Sequence, residues 1–229
     1  MFDYTDCPTS TPPPNSAVQE WAYDATKNIC TVRFKVDKTM KAPVFLYYRL
    51  SNFYQNHRKY VKSLNSEQLK GVAVDKNSLT DCEPLNQVDE RAYYPCGLIA
   101  NSMFNDTIGK QASDFQSFSM PTADGGKFYE FSAKGISWPS DASRYAETKY
   151  DPETISPPKD WIGGKYRNAT VKSTWKETGV TFNPANDEHF QVWMRTAGLP
   201  TFRKLYGRND DTDLPEGVYE LPIEYSALL

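Results

Sequence analysis

The stretch ICTVRFKV, Ile29–Val36, alternates between two sets of side chains along its whole length. One set is Cys30, Val32, Phe34 and Val36, and the other is Ile29, Thr31, Arg33 and Lys35. A period of two residues is typical of a strand that buries one face, because successive side chains point to opposite sides of a sheet. The stretch therefore predicts a half-buried β-strand.

Three further stretches read as strands: Pro43–Leu50, TVKSTW at Thr170–Trp175, and GVYELPIEY at Gly217–Tyr225. Between them, Pro139–Gly164 is interrupted by Pro, Gly and Ser, which predicts an ordered but irregular excursion. There is no internal repeat and no clean linker. These features predict a mainly β fold, namely a single antiparallel β-sandwich with long irregular excursions and a few short helices.

The run YYRLSNFYQNHRKYVKS, Tyr47–Ser63, holds five aromatic residues and four Arg or Lys residues but no carboxylate, in a chain of net charge −3. From Ser51, a candidate N-cap, helical spacing connects Phe53, His57, Tyr60, Val61 and Leu64. Arg58, Lys59 and Lys62 then lie on the opposite side. The run predicts a strand, a turn and a short amphipathic helix whose basic side faces either water or a partner.

The apolar content of the chain is spread over short segments. Hydrophobic residues make up 39% and aromatic residues 14%, and the longest apolar stretch is VFLYY, Val44–Tyr48. This is far short of the roughly 20 residues that cross a bilayer as a helix. The residues after Met1 lack the basic and apolar regions of a signal peptide. The expectation is a soluble protein or the soluble piece of a larger one.

The four cysteines are Cys7, Cys30, Cys82 and Cys96. No two of them form a CxxC pair, and neither histidine is near one in sequence, so a zinc site is disfavoured. Disulfides and four buried free thiols are the alternatives. Four cysteines allow three connectivities, and the sequence alone does not choose among them. Neighbour pairing, Cys7 with Cys30 and Cys82 with Cys96, closes two modest loops and is the pairing we favour.

Two triplets match the acceptor pattern for N-linked glycans. They place candidate glycosylation sites at Asn105, in Asn-Asp-Thr, and at Asn168, in Asn-Ala-Thr. Such triplets occur by chance, but together with an even number of cysteines they favour a secreted or lumenal setting.

Motifs for catalysis are missing from the sequence. It has no GxSxG, P-loop, HExxH or GxGxxG motif, and no nucleophile is recognisable near His57. A glycosidase would need a close carboxylate pair that the sequence does not mark. A secreted carbohydrate-binding sandwich, with Trp138 or Trp161 exposed on loops, remains an alternative.

Nucleic-acid binding is also disfavoured. The second basic run, Gln191–Arg208, carries four positive residues, but the acidic stretch NDDTDLPE follows it at once and cancels its field at short range. The chain as a whole is acidic.

Three long blocks resemble the accessory (β) subunits of type IV P-type ATPases, the lipid flippases, also described as the Cdc-fifty/Lem-three-like family. The blocks are LSNFYQNHRKYVKS, PCGLIANSMFNDT and VWMRTAGLPTFRKLYGR, and GISW and the final GxYxLxI strand are also similar. The resemblance runs from about Asp3 to Tyr225.

The resemblance implies a β-sandwich ectodomain, glycosylated and disulfide-bonded, between two membrane helices of the full-length protein. It implies no active site and no cofactor. The expected partner is the catalytic subunit of the ATPase, in a heterodimer that leaves the endoplasmic reticulum together and moves lipid. The expected location is the lumenal or extracellular side of the endoplasmic reticulum, Golgi, endosome or plasma membrane.

The resemblance also assigns residues. It implies the neighbour pairing of the cysteines, and Asn105 matches a sequon of the family, whereas Asn168 lies in a variable region. Candidate contacts with the catalytic subunit are Arg58, Lys59, Lys62, Arg203 and Lys204. Residues 1–225 are expected to be the ectodomain, without its membrane helices, and residues 226–229 a tail that the family does not share.

Overall fold

A computed structural model of the chain describes residues 3–7, 18–161, 173–180 and 182–226. The strands, in chain order, are β1 (Val18–Asp24), β2 (Ile29–Val36), β3 (Val44–Leu50), β4 (Gln87–Val88), β5 (Arg91–Tyr93), β6 (Thr107–Ile108), β7 (Lys110–Gln111), β8 (Ser117–Pro121), β9 (Phe128–Ser132), β10 (Ile155–Ser156), β11 (Phe202–Asn209) and β12 (Gly217–Glu224). The α-helices are α1 (Arg58–Lys62), α2 (Ser66–Leu69), α3 (Leu98–Asn101), α4 (Pro139–Ala142), α5 (Trp175–Thr178) and α6 (Glu188–Met194). Short 3₁₀ turns are formed by Lys76–Ser78, Thr80–Cys82 and Lys159–Trp161.

The first sheet has four strands in the order β1-β2-β12-β6, and all its pairings are antiparallel. Its centre is the alternating stretch of β2, in which Cys30, Val32 and Val36 are buried as the period of two predicted. Val32 lies opposite Leu221 of β12, and Leu221 is also buried. The alternation of each strand thus matches that of its neighbour, which sets the register.

The second sheet has five strands in the order β3-β11-β9-β8-β7, again antiparallel. Strand β11 carries an irregularity between Leu205 and Gly207. Tyr206, between those two residues, is buried, and its hydroxyl accepts a hydrogen bond from Ile108 N at 3.0 Å, in strand β6 of the first sheet. The hydrogen bond joins the two sheets.

One hydrophobic cluster lies between these sheets and the helices. Val32 and Leu221 of the first sheet and Phe118 and Phe131 of the second belong to it. A small third sheet, β10-β5-β4, contains the one parallel pair among the described strands, β10 with β5. The predicted architecture, mainly antiparallel β-structure with a few short helices, is confirmed.

Aromatic residues fill the part of the core that the helices cover. The ring of Phe182 lies 4.9 Å from Trp161, 5.6 Å from Trp175 and 5.1 Å from Phe190, measured between ring centroids. The buried indoles donate to backbone carbonyls: Trp161 to Ala100 O, Trp175 to Tyr94 O and Trp193 to Ile99 O. Burial of a tryptophan requires such an acceptor for its N–H.

The prediction of a strand over Thr170–Trp175 is wrong for the part of this stretch that the structure describes. Trp175 is the first residue of α5, and Thr174 caps this helix in a capping box with Glu177. Residues 170–172 lie outside the described part of the chain. The hydrogen bonds of the capping box are local and favour a helix start over a strand.

Candidate functional site

The segments Leu50–Ser63 and Val192–Arg208, two of the blocks that carried the resemblance, lie side by side. Hydrogen bonds that join them include Ala197 N to Gln55 Oε1 (2.9 Å), Asn56 Nδ2 to Gly198 O (3.0 Å) and Phe53 N to Pro200 O (3.0 Å). Gln55 is fully buried, and its amide nitrogen also donates to the Tyr60 hydroxyl at 3.3 Å. Because both ends of this buried amide are satisfied, it holds the two segments in one arrangement.

The helix expected from Ser51 begins later than its spacing predicted. Asn52 has a left-handed backbone, with φ of 58°, and the chain up to His57 is not helical. Helix α1 starts at Arg58, and His57 is its N-cap, with Nδ1 accepting from Lys59 N at 3.3 Å. The position of Gln55 explains the delay, since its side chain is bonded to the other segment.

Helix α1 exposes its basic side and packs its partly buried aromatic side against the core. Arg58, Lys59 and Lys62 are exposed. On the other side, the Tyr60 hydroxyl lies 2.8 Å from Ser102 Oγ, and its ring packs edge-on against Phe53. The predicted amphipathic character is therefore present, and three positive charges point away from the core.

Arg203 lies in a different element, on the exposed face of β3 and β11. It is directly opposite Arg49 in register, and its guanidinium carbon lies 4.8 Å from the centroid of the Tyr47 ring. Phe45 and Tyr47 are 40% and 42% exposed on the same face. Arginine held over an exposed aromatic ring is a cation–π arrangement. Arg203 is thus exposed to solvent, but it belongs to β11 and not to α1, which carries the other three basic residues.

Lys204, the fifth candidate contact, is buried, which corrects its assignment to the surface. The alternation along β11 turns it inward, and only 7% of it is exposed. Its ammonium donates to Val192 O at 3.0 Å, to Trp193 O at 3.3 Å and to Arg195 O, at the end of α6. Burial, together with the nearby charge of Arg195, lowers the pKa of Lys204 to about 8.

Because the pKa of Lys204 is low, the difference in free energy of unfolding between the wild type and Lys204→Met should depend on pH. The ammonium is more easily deprotonated in the folded chain than in the unfolded chain, where its ordinary pKa is 10.5. The free energy of unfolding of the wild type, relative to that of Lys204→Met, should therefore rise with pH above about 8. The rise should be about 2 kcal/mol between about pH 7 and about pH 10. Urea unfolding at several pH values measures this. Lys38→Met, which replaces an exposed lysine, is the matched control, and a Lys204→Met curve parallel to that of the wild type would contradict the prediction.

The cysteines form the two disulfides that neighbour pairing requires. Cys7 pairs with Cys30 and Cys82 with Cys96, with Cα–Cα distances of 6.3 and 5.7 Å. Neither bond involves a residue of α1 or β11, which carry the candidate contacts. The first bond joins the start of the described chain to the first sheet, and the second closes the loop before α3.

The structure describes one of the two candidate glycosylation sites, Asn105. Asn105 is partly exposed, and its Nδ2, the atom that would carry a glycan, donates to Asp160 O at 3.3 Å. Asn168 lies outside the described residues.

A cavity of about 430 Å³ was not expected from the sequence. It lies beside Asn105, and Phe104, Phe115, Trp161 and Tyr206 are among its lining residues. Phe115 has a left-handed backbone, with φ of 56°. No sequence pattern marks a phenylalanine for that conformation, because glycine and asparagine are the residues that favour it.

The structure bears on three kinds of site that a sequence can mark: metal-ion sites, membrane spans and exposed tryptophans. Within the described ranges, no three His, Cys, Asp or Glu side chains are grouped so that they could hold a metal ion. No helix in the same ranges has the length and apolar content needed to cross a membrane. Trp161, one of the two tryptophans considered for carbohydrate binding, is only 2% exposed.

The fold and surfaces together define a class: mainly antiparallel β proteins that are cross-linked by disulfides and present basic groups at their surface, in part beside exposed aromatic rings. Within that class, the family is decided by comparison. A model of the LEM3 (ligand-effect modulator 3) family / CDC50 family matches residues 1–226. The chain belongs to this family, which confirms the resemblance seen in the three blocks.

Curated relatives include proteins from fungi and a mammal. "Phospholipid-transporting ATPase accessory subunit CRF1" of Saccharomyces cerevisiae is 40% identical over 196 residues, 85% of this chain and 46% of the relative. "Phospholipid-transporting ATPase accessory subunit CDC50" of Chaetomium thermophilum is 36% identical over 212 residues, 90% and 50% of the two chains. "Cell cycle control protein 50A" of Mus musculus is 36% identical over 231 residues, 95% and 60%. The chain spans about half the length of the curated relatives it matches.

Proposed function

We propose that the chain is the lumenal or extracellular part of a non-catalytic accessory subunit of a phospholipid-transporting P-type ATPase. The observation that carries the proposal is the family match over residues 1–226, together with relatives named as accessory subunits of such ATPases. The catalytic subunit is the proposed partner, in a heterodimer. A subunit that only binds changes the catalytic cycle to the extent that it binds one state of its partner more tightly than another.

The proposed setting is the non-cytoplasmic side of a membrane, with anchors supplied by the full-length protein. The two disulfides support it, because such bonds persist in oxidising compartments. Residues 1–225 are proposed as one ectodomain. Ser226, assigned above to a tail, is buried, and its N–H donates to Asp106 Oδ1 at 3.1 Å, so we extend the ectodomain to include it. Residues 227–229 lie outside the described part of the chain.

The proposed contacts with the catalytic subunit are Arg58, Lys59, Lys62 and Arg203. Their exposure supports this, as does the buried Gln55, which fixes the segment before α1. Exposed basic groups on a rigid element suit a partner surface that carries carboxylates, because complementary charge speeds association and orients the complex. Lys204 is removed from the set because its ammonium is already bonded inside the fold.

Lipid transport by a reconstituted pair tests the proposal. The catalytic subunit should move labelled phospholipid when it is reconstituted with the full-length version of this protein, and should fail to do so without it. The catalytic subunit should also be retained in the endoplasmic reticulum when it is expressed alone. Equal transport with and without this protein would reject the accessory function, as would ATP hydrolysis by the chain on its own.

Charge reversal tests the basic side of α1 separately. The triple variant Arg58→Glu, Lys59→Glu, Lys62→Glu should weaken capture of the catalytic subunit by about tenfold or more, since it replaces attraction with repulsion. The control is Lys38→Glu, Lys127→Glu, Lys149→Glu, which makes the same charge change at exposed lysines elsewhere. If the two triple variants capture the catalytic subunit equally well, the contact assignment is wrong although the accessory function can still stand.

A further inference from the structure

The cavity beside Asn105 has the chemistry of a site for a neutral, polyhydroxylated ligand. None of the described residues that line it is Lys or Arg, whereas four of them, Asp106, Asp114, Asp187 and Glu188, are acidic, so this described lining is unfavourable for a phosphate or carboxylate. Its amide side chains include Gln111, Gln116, Asn183 and Asn186. Amides both donate and accept, which suits hydroxyl groups.

The carboxylates of the cavity are largely occupied by the protein itself. Glu188 accepts from the N–H groups of Gly135, Ile136 and Ser137 at 3.1, 2.8 and 2.9 Å. Asp106 accepts from the Tyr4 hydroxyl and from Ser226 N. These hydrogen bonds hold the oxygens in fixed positions, and among the described residues no three His, Cys, Asp or Glu side chains are grouped so that they could hold a metal ion. The hydroxyl groups of a neutral ligand can donate to carboxylates fixed in this way.

Phe115 gives the cavity an aromatic surface at its mouth. The side chain is 40% exposed, although the residue is held in a left-handed backbone that costs a phenylalanine energy. Strained residues of this kind cluster where a fold presents a group for binding. Tyr48 and Phe104, which also line the cavity, stack with ring centroids 4.0 Å apart. The apolar C–H face of a pyranose packs on such rings while its hydroxyls reach amides.

A glycan attached to Asn105 would place a sugar at this cavity, so no second molecule is needed. The residue is one of those that line the cavity. Its Nδ2 is directed at Asp160 O, and the next residue, Trp161, is part of the cavity wall. A glycan on that nitrogen therefore starts at the edge of the cavity. A volume of about 430 Å³ is within the range of ligand sites and has room for about one or two pyranose rings.

We infer that the cavity holds the proximal sugars of an N-linked glycan carried by Asn105, with Phe115 as their stacking surface. The inference rests on the lumenal or extracellular setting proposed above. The glycan then acts as part of the fold, covering an aromatic cavity that would otherwise be open to solvent. The sugars belong to the glycan of this same chain, and no added carbohydrate is required.

Accessibility of the glycan to an endoglycosidase tests the inference. The chain is secreted from cells that make oligomannose glycans, with Asn168→Gln so that the Asn105 sequon is the one under test, and its mass shows whether Asn105 is occupied. Cleavage between the two proximal N-acetylglucosamines should be at least about tenfold slower in the native parent than in Phe115→Ala, because cleavage requires the sugars to leave the cavity. Phe128→Ala, which removes an exposed phenylalanine outside the lining set, should leave the rate unchanged.

Hydrogen exchange provides a second measurement that does not depend on Phe115→Ala folding. Thr107→Ser keeps the sequon and Thr107→Ala removes it, while both change the same side chain. Backbone amides of residues 112–116 and 183–187 should exchange more slowly in the glycosylated Thr107→Ser chain. An unoccupied Asn105, equal cleavage rates in the parent and Phe115→Ala, or equal exchange in the two Thr107 variants would overturn the inference. These measurements use no catalytic subunit, so they fail or succeed independently of lipid transport.

Discussion

Gly97→Ala is expected to lower the free energy of unfolding by about 3 kcal/mol or more. Gly97 has φ of 96°, and a Cβ built on it would lie 2.6 Å from the carbonyl carbon of Ser63 and closer still to its oxygen. Those atoms are backbone and cannot turn aside. Ser63 is the C-cap of α1, and its hydroxyl accepts from Leu98 N at 2.9 Å. The substitution should therefore also displace helix α1.

Denaturant unfolding of Gly97→Ala and Gly125→Ala separates the clash from backbone strain. Gly125 also has a left-handed backbone, with φ of 70°, but a Cβ added there would meet no described atom within 4 Å beyond its chain neighbours. Its substitution should cost only the conformational strain, about 1 kcal/mol. If the two variants lose the same stability, contact with Ser63 does not explain the need for glycine. Weakened capture of the catalytic subunit by folded Gly97→Ala would connect the position to α1.

Removing the second disulfide with Cys82→Ala, Cys96→Ala should also cost about 3 kcal/mol. The bond closes a loop with a sequence separation of 14, and its loss lets the unfolded chain adopt more conformations. Both cysteines are almost fully buried, and Cys96 N donates to the buried Gln68 Oε1 at 2.9 Å. The lost cross-link and lost packing therefore act in the same direction.

The midpoint of chemical unfolding under non-reducing conditions measures this effect. Ile99→Val is the packing control, because Ile99 is fully buried near the same loop and the substitution removes one methylene, for about 1 kcal/mol. A double cysteine variant no less stable than Ile99→Val would contradict a substantial role for the cross-link. Reductant should have a smaller effect on the double variant than on the wild type.

The two central strands of the first sheet could be predicted because their signal is local and periodic. Alternation in Ile29–Val36 and in Gly217–Tyr225 identified β2 and β12, and their buried positions face each other across the pair. Neighbour pairing of the cysteines and the three long blocks also came from the sequence. The Thr170–Trp175 strand was wrong at Trp175 because six residues are too few for alternation to outweigh a capping box.

The sequence by itself determined the fold class and the family, because both depend on residue types at short or recognisable spacing, and it favoured one pairing of the cysteines without excluding the other two. The tertiary structure alone decided where α1 begins, since Gln55 accepts from Ala197, 142 residues further along the chain. It also decided that Arg203 faces solvent while Lys204 bonds three carbonyls, and that Asn105 and Phe115 share a cavity. Such contacts depend on which distant segments the sheets bring together, and burial then sets whether a charge is available at the surface.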